Sequence, residues 1–221
     1  MSTEKQYRVV VVDDHPMLRE RLALLIEKEP DMTVCGEADN IHDAFDLIVA
    51  QRPDIAIVDI TLKGSSGLEL VKNLKAQEIP TPVLILSMHD ESLYADRALR
   101  SGARGYITKQ EDSEEVMAAI RCVLSGKVYL SASHTATILN RITEQGPQAS
   151  TPDIHLLADR ELEVFQMIGQ GRTTREIAEL LHLGTKTVET YRERIKQKLG
   201  LKNAAALYHR AAQWVRSQEI A

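Results

Sequence analysis

Five short apolar runs recur through the first half of this chain: Arg8–Val12, Thr33–Ala38, Asp54–Ile60, Pro82–Met88 and Gly105–Thr108. They are rich in Val and Ile and hardly alternate with polar residues. That is the pattern of strands covered on both faces. Stretches of helical length separate them. Leu18, Leu22, Leu25 and Ile26 form an apolar stripe at helical spacing, as do Leu68, Val71 and Leu74. Ser92–Ser101 and Ser113–Ser125 read as helices as well. Strands alternating with helices specify an α/β fold, a doubly wound five-stranded parallel sheet with right-handed crossovers.

After Lys127 the pattern changes. Ser131–Arg141 reads as one more helix. Thr143–Pro152 has no apolar periodicity and is rich in turn formers, so it is expected to be a flexible linker. Four helical segments then follow with no strand between them: Asp159–Ile168, Thr173–Leu183, Thr185–Leu199 and Asn203–Arg216, punctuated by Gly169, Gly171, Gly184 and Gly200. Thr173 and Glu176 have the spacing of a capping box. The expected organisation is an α/β domain over residues 1–130, a linker with a short helix over 131–152, and an all-α four-helix domain over 153–221.

Composition sets the surroundings. Hydrophobic residues at 43% and charged ones at 27% are ordinary for a globular protein. No run of 18 apolar residues occurs, and Met1–Gln6 lacks the apolar core of a signal peptide. A cytoplasmic protein without a membrane partner is the expectation. Cys35 and Cys122 show no metal spacing and read as buried thiols. The net charge of −5 is unevenly spread. Residues 1–130 carry 15 Lys and Arg against 22 Asp and Glu, whereas residues 131–221 carry 12 against 10. Thr185–Lys202 is locally basic, with Lys186, Arg192, Arg194, Lys196, Lys198 and Lys202. An acidic front and a basic back suggest two jobs in two domains.

The first valine run ends on Asp13-Asp14. Burying adjacent carboxylates is costly unless something pairs with them. An Asp-Asp before Pro16 is, taken alone, a common helix-start signal. In a parallel sheet of order 2-1-3-4-5, however, the first and third strands are neighbours at the switch point where ligands bind. Asp59, which ends the third strand, then converges on Asp13 and Asp14. Three such charges call for a cation, and Mg2+ suits a cage of hard oxygens. Ser87 and Lys109 end the fourth and fifth strands and bring a hydroxyl and an ammonium to the same edge.

These residues, with Tyr106 and the loop Thr61–Gly67, resemble the receiver domain of two-component response regulators over about Tyr7–Lys127. The resemblance implies that Asp59 accepts a phosphoryl group. It implies Mg2+ held by Asp14, Asp59 and the backbone carbonyl of Thr61, with Asp13 acting through water. Lys109 and Ser87 would take the phosphoryl oxygens, and Tyr106 would be the switch aromatic, although on a strand it reads equally as a half-buried packing residue. Positioning and charge neutralisation are what phosphoryl transfer needs. Lys63 departs from the family, which often has proline there, and this puts the rigidity of the loop in question. A Mg2+-dependent phosphohydrolase is the other reading of strand-end aspartates. Such enzymes usually place a second acid two residues after the nucleophile, where Thr61 stands.

In the back half, Val188, Tyr191, Ile195 and Leu199 make one apolar stripe on the third helical segment. Lys186, Glu189, Thr190, Glu193 and Gln197 point away from it, flanked by Arg192, Arg194 and Lys198. Leu157–Val164, Arg175–Leu181 and Lys186–Arg192 with Lys198–Leu201 resemble the LuxR-type helix-turn-helix. Joined to a receiver, this is similar to the NarL/FixJ family of response regulators. The resemblance implies a transcription regulator, not a turnover enzyme. Its partners would be a sensor histidine kinase, double-stranded promoter DNA and RNA polymerase, and it would be a homodimer when phosphorylated. Lys186, Thr187, Glu189, Thr190, Glu193, Arg194 and Lys198 are the expected DNA contacts. Leu207, Ala211 and Trp214 on the last helix are the expected dimer stripe, although part of it must cover the helix-turn-helix core. Ala158 and Gly184 stand where the family places capping hydroxyls, so Asp159, as a cap or by favouring the helix dipole, and Thr185 are the expected substitutes.

Overall fold

Val9, Val10, Val11 and Val12 are each at most 1% exposed, because the sheet they enter is covered on both faces. The computed structural model describes residues 6–88, 91–136 and 154–219. The chain divides into two compact units, Met1–Gln145 and Gly146–Ala221.

The first unit runs β1 (Tyr7–Val12), α1 (Pro16–Glu27), β2 (Met32–Ala38), α2 (Ile41–Gln51), β3 (Ile55–Val58), α3 (Gly67–Ala76), β4 (Val83–Ser87), α4 (Glu91–Ser101), β5 (Gly105–Thr108) and α5 (Ser113–Leu124). The strands are all parallel in the expected order β2-β1-β3-β4-β5. Alternate residues of the central strands, Val9, Val11, Ile55, Ile57, Leu84 and Leu86, meet Leu22 and Ile26 of α1 and Ile120 and Val123 of α5. Each such side chain contributes about 1.5–3 kcal/mol by leaving water. Helices start where short polar side chains accept backbone N–H groups: Asn40 from Asp43, Ser66 from Leu68 and Asp112 from Glu115.

Differences from the sequence expectation have local causes. β3 stops at Val58, not Ile60. Beyond it, Thr61–Leu62 and Ser65–Ser66 pair as a two-residue hairpin, too short to announce itself by periodicity. Gly64 turns that hairpin with φ +70. Cys35 and Cys122 are free thiols, half-buried and not buried as expected. Of Ser131–Arg141, residues 132–136 are helical. The remainder, and the expected linker Thr143–Pro152, lie outside the described residues.

The second unit contains a 3-10 turn at Ile154–Leu156, then α6 (Asp159–Gly169), α7 (Thr174–Leu180), α8 (Thr185–Lys198) and α9 (Ala204–Glu219). Its core joins Leu162, Phe165, Ile168, Ile177, Val188, Ile195, Leu207 and Ala211, all at most 2% exposed. α6 and α9 approach so closely that a Cβ on Gly169 would lie 2.5 Å from the Ala211 carbonyl oxygen. α7 ends earlier than expected, with His182 in left-handed backbone at φ 52 and the Leu183 N–H on the Ala178 carbonyl. Thr173 and Glu176 do form the capping box. Neither substitute forms a side-chain cap, but Asp159 lies in the first turn of α6, where its charge favours the helix dipole. Glu161, not Asp159, closes the start of α6 by accepting the Ala158 N–H at 2.8 Å. Gly184 occupies the cap position of α8 without a side-chain bond, and Thr185 is already helical. Among the described residues no helix is long and apolar enough to cross a membrane.

Candidate phosphoryl-accepting pocket and nucleic-acid interface

Adjacent strands β1 and β3 end together, so Asp13, Asp14 and Asp59 converge as the strand order requires. Their side chains and the exposed His15 imidazole offer ligand atoms that all lie within 4.8 Å of one another. The three carboxylates are only 4–6% exposed. Lys109, at the end of β5, places its ammonium 2.6 Å from Asp13 Oδ2 and 2.7 Å from Asp59 Oδ2. Its backbone N–H donates to the carbonyl of Ser87 at 2.8 Å, which joins the ends of β4 and β5. Ser87 is fully buried, and the Thr61 N–H lies 3.3 Å from Asp59 Oδ1. Asp13, Asp14, Asp59, Thr61, Ser87 and Lys109 thus share one edge. Tyr106 sits on the same strand as Lys109 but is wholly buried, more deeply than a half-buried packing residue.

Burial pushes the Asp59 carboxyl up to about 6. The Lys109 ammonium opposes that rise and the Asp13 carboxylate adds to it. Burial also works against the Lys109 ammonium, yet Asp59 and Asp13 together hold its pKa above the ordinary lysine value. Three carboxylates facing one ammonium leave an excess of negative charge in a donor set of hard oxygens. These residues fit a small divalent cation such as Mg2+.

Sequence reasoning passed over two residues here. His15 occupies the cap position of α1 but does not cap it; its Nδ1 lies 2.8 Å from Asp14 Oδ1. Only its place beside the acidic pair could have marked it. Gly67 is the second. A Cβ there would lie 1.9 Å from the backbone oxygen of Asp59, so only glycine lets α3 begin against the end of β3. Nothing in hydropathy or spacing signals this contact.

In the second unit, α8 buries Val188 and Ile195 and half-buries Tyr191 and Leu199. Lys186, Thr187, Glu189, Thr190, Glu193, Arg194 and Lys198 are all exposed along it. Three cations on this helix are committed within the domain, Lys196 through an ion pair with Glu193 at 2.8 Å. Lys198 Nζ lies 2.6 Å from the buried carboxylate of Glu161. Arg192 donates to Thr174 Oγ1 at 2.7 Å and stacks over the Tyr208 ring at 4.9 Å. The expected dimer stripe is corrected by the packing. Leu207 and Ala211 are fully buried in the core of their own domain, and Trp214 packs on Phe165 with ring centroids 5.5 Å apart. Leu207 and Ala211, spent on covering α6, are not a free surface, and Trp214 stays half-buried.

Comparison with known proteins agrees with this architecture. Residues 9–121 match the response regulator receiver domain, and residues 155–211 match the luxR family of bacterial regulatory proteins. The virulence-factor transcription regulator BvgA of Bordetella pertussis is 36% identical over 200 residues, covering 90% of this chain and 92% of its own. The oxygen regulatory protein NreC of Staphylococcus carnosus is 32% identical over 204 residues, covering 90% and 94%. The crystal structure of a LuxR-family response regulator from Aurantimonas sp. SI85-9A1 superposes with a TM-score of 0.59 at 34% identity, covering 63% of this chain and all of that one. The matched families describe a regulator and not a turnover enzyme. The chain belongs to the NarL/FixJ family of two-component response regulators, transcription regulators that join a receiver to a LuxR-type DNA-binding domain.

Proposed function

We propose that Asp59 accepts a phosphoryl group from a sensor histidine kinase and that this switches promoter binding by the second unit. The observation that carries the reading is the buried Lys109 ammonium bridging Asp13 and Asp59. A carboxylate oxygen of Asp59 attacks the phosphorus, the bond to the donor nitrogen breaks, and an acyl phosphate forms. Asp13, Asp14, Asp59 and the Thr61 carbonyl would hold Mg2+, which would supply charge neutralisation at the phosphoryl oxygens. Lys109 leaves its carboxylate partners for one phosphoryl oxygen, and the Ser87 hydroxyl donates to another. Ser87 and Lys109 are joined through backbone, so their movement reaches β5 and Tyr106.

For the second unit the supporting observation is the exposed row on α8. Glu189 and Thr190 face base edges in the major groove, and Lys186, Thr187, Glu193 and Arg194 flank them, with Arg194 on phosphate. A dimer presents two such helices to half-sites one helical turn apart. Leu207 and Ala211 are internal and Trp214 is half-buried, so of the Leu207–Ala211–Trp214 stripe only Trp214 is left to contribute to pairing, and RNA polymerase is a further partner of the assembled complex. Selection of bound DNA sequences with and without acetyl phosphate tests the reading. Phosphorylation raises affinity for a two-fold-symmetric site, and Glu189→Ala or Thr190→Ala changes the preferred bases. An identical preferred site in both variants contradicts the α8 assignment. Equal affinity in both phosphorylation states contradicts the switch.

A further inference from the structure

The two loops that bring oxygens to the pocket, the β1–α1 turn with Asp13 and Asp14 and the hairpin Thr61–Ser66, are both fastened to the end of β2. Arg19, in the first turns of α1, donates from Nη1 to the Asp13 carbonyl at 2.6 Å and from Nε to the Glu37 carboxylate at 3.0 Å. The Ala38 carbonyl accepts the Asp13 N–H at 3.1 Å. One residue further, Asp39 accepts from Lys63 Nζ at 2.5 Å, across 24 residues of sequence, and from the Asn40 side chain at 2.9 Å. The Lys63 and Asn40 bonds hold the Asp39 carboxyl below the usual carboxylate range. Three consecutive residues, Glu37, Ala38 and Asp39, therefore grip both loops.

Lys63 is the residue that stands where receivers often carry proline. With Gly64 at φ +70, the turn Leu62–Ser65 has the form in which proline suits the position before glycine. Here an ion pair to β2 does by tethering what a ring does by restricting the backbone.

We infer that Arg19 and Lys63 are positioning residues for phosphoryl transfer, holding the acidic turn and the Thr61 hairpin in register through the Glu37–Asp39 segment. The inference rests on the Mg2+ reading of the pocket, and electrostatics supplies a test by sign. Both side chains are cations beside a divalent-cation site. If they acted only by charge, removing either would tighten Mg2+ binding. As clamps, their removal loosens it.

Isothermal titration of Mg2+ into the full-length chain reads the sign directly. Lys63→Ala weakens binding about two- to five-fold, the range of an exposed ion pair. Lys63→Pro, which also lacks the charge, restores it, and Lys63→Ala with Asp39→Ala is no weaker than either alone. Arg19→Gln weakens binding likewise, with a thermal melt checking that the fold is retained. Unchanged or tighter binding in Lys63→Ala, or no recovery in Lys63→Pro, overturns the inference. If the wild-type chain binds no Mg2+, the metal reading fails by itself. Hydrogen exchange at the Thr61 and Leu62 amides then decides the clamp: faster exchange in Lys63→Ala that Lys63→Pro reverses supports it, and unchanged exchange overturns it.

Discussion

Lys109 and Asp59, 50 residues apart in sequence, meet with the ammonium 2.7 Å from the carboxylate oxygen and both side chains about 95% buried. The ammonium serves as the pocket's internal counter-ion, and in the proposed switch it is also the group that changes partner when a phosphoryl oxygen arrives. Lys109→Ala therefore leaves Asp59 able to accept a phosphoryl group but uncouples acceptance from DNA binding. It also removes a competing cation, so Mg2+ binds more tightly than in the wild type. Calorimetry and fluorescence anisotropy with promoter DNA check both outcomes. A variant whose phosphorylated form gains DNA affinity as the wild type does would exclude Lys109 from the relay.

The raised pKa of Asp59 gives a stability prediction with a definite sign. In the fold the carboxyl prefers its protonated form, so its contribution favours folding below its ordinary value of 3.8 and is lost as pH rises through about 6. Asp59→Asn cannot ionise. In the absence of Mg2+ it should be more stable than the wild type at pH 7.5 by about 1–3 kcal/mol, a gain that shrinks toward nothing below pH about 4. Saturating Mg2+ stabilises the wild type selectively and closes the gap. Thermal melts across pH, with and without Mg2+, measure this. A less stable Asp59→Asn at pH 7.5 without metal would show that the lost Lys109 pairing outweighs desolvation.

Lys198 and Arg194 look alike in sequence, two cations on the same helix, and the structure separates them. Lys198 answers a carboxylate on Glu161 that is only 4% exposed, and that carboxylate also closes the start of α6. Lys198→Ala should lower the stability of the DNA-binding unit by about 1–2 kcal/mol, in the range of a charged hydrogen bond. Its loss of DNA affinity should be partly recovered at lower temperature. Arg194→Ala should leave the melt unchanged, weaken all DNA sites alike and reduce the slope of log affinity against log salt by about 1. Equal melts for the two variants would remove the distinction.

What could be read beforehand follows from the range of the forces involved. The strands that carry Asp13, Asp14, Asp59, Ser87 and Lys109 follow from hydrophobic period, which is local in sequence, and the strand order of a doubly wound sheet brings their ends to one edge. The hairpin at Thr61–Ser66 was not legible because two-residue strands carry no period. Gly67 was not legible because its need is a contact with the Asp59 carbonyl, a property of packing. The α9 stripe was ambiguous for a related reason. Leu207, Ala211 and Trp214 do lie on one helical face, but helical spacing does not say whether a face meets its own core or a second chain. Phe165 and Gly169 on α6 decide that. At the start of α6 the Ala158 N–H is satisfied by Glu161, a contact between side chain and backbone that the position of Asp159 alone does not announce.

The central claim is that Asp59 is the phosphoryl acceptor. Intact-mass spectrometry of the full-length chain after incubation with acetyl phosphate and Mg2+, followed by peptide mapping, tests it most directly. One phosphoryl addition should appear, map to the peptide containing Asp59, require Mg2+ and vanish in Asp59→Asn. Full labelling of Asp59→Asn, or no labelling of the wild type under the same conditions, would contradict the account.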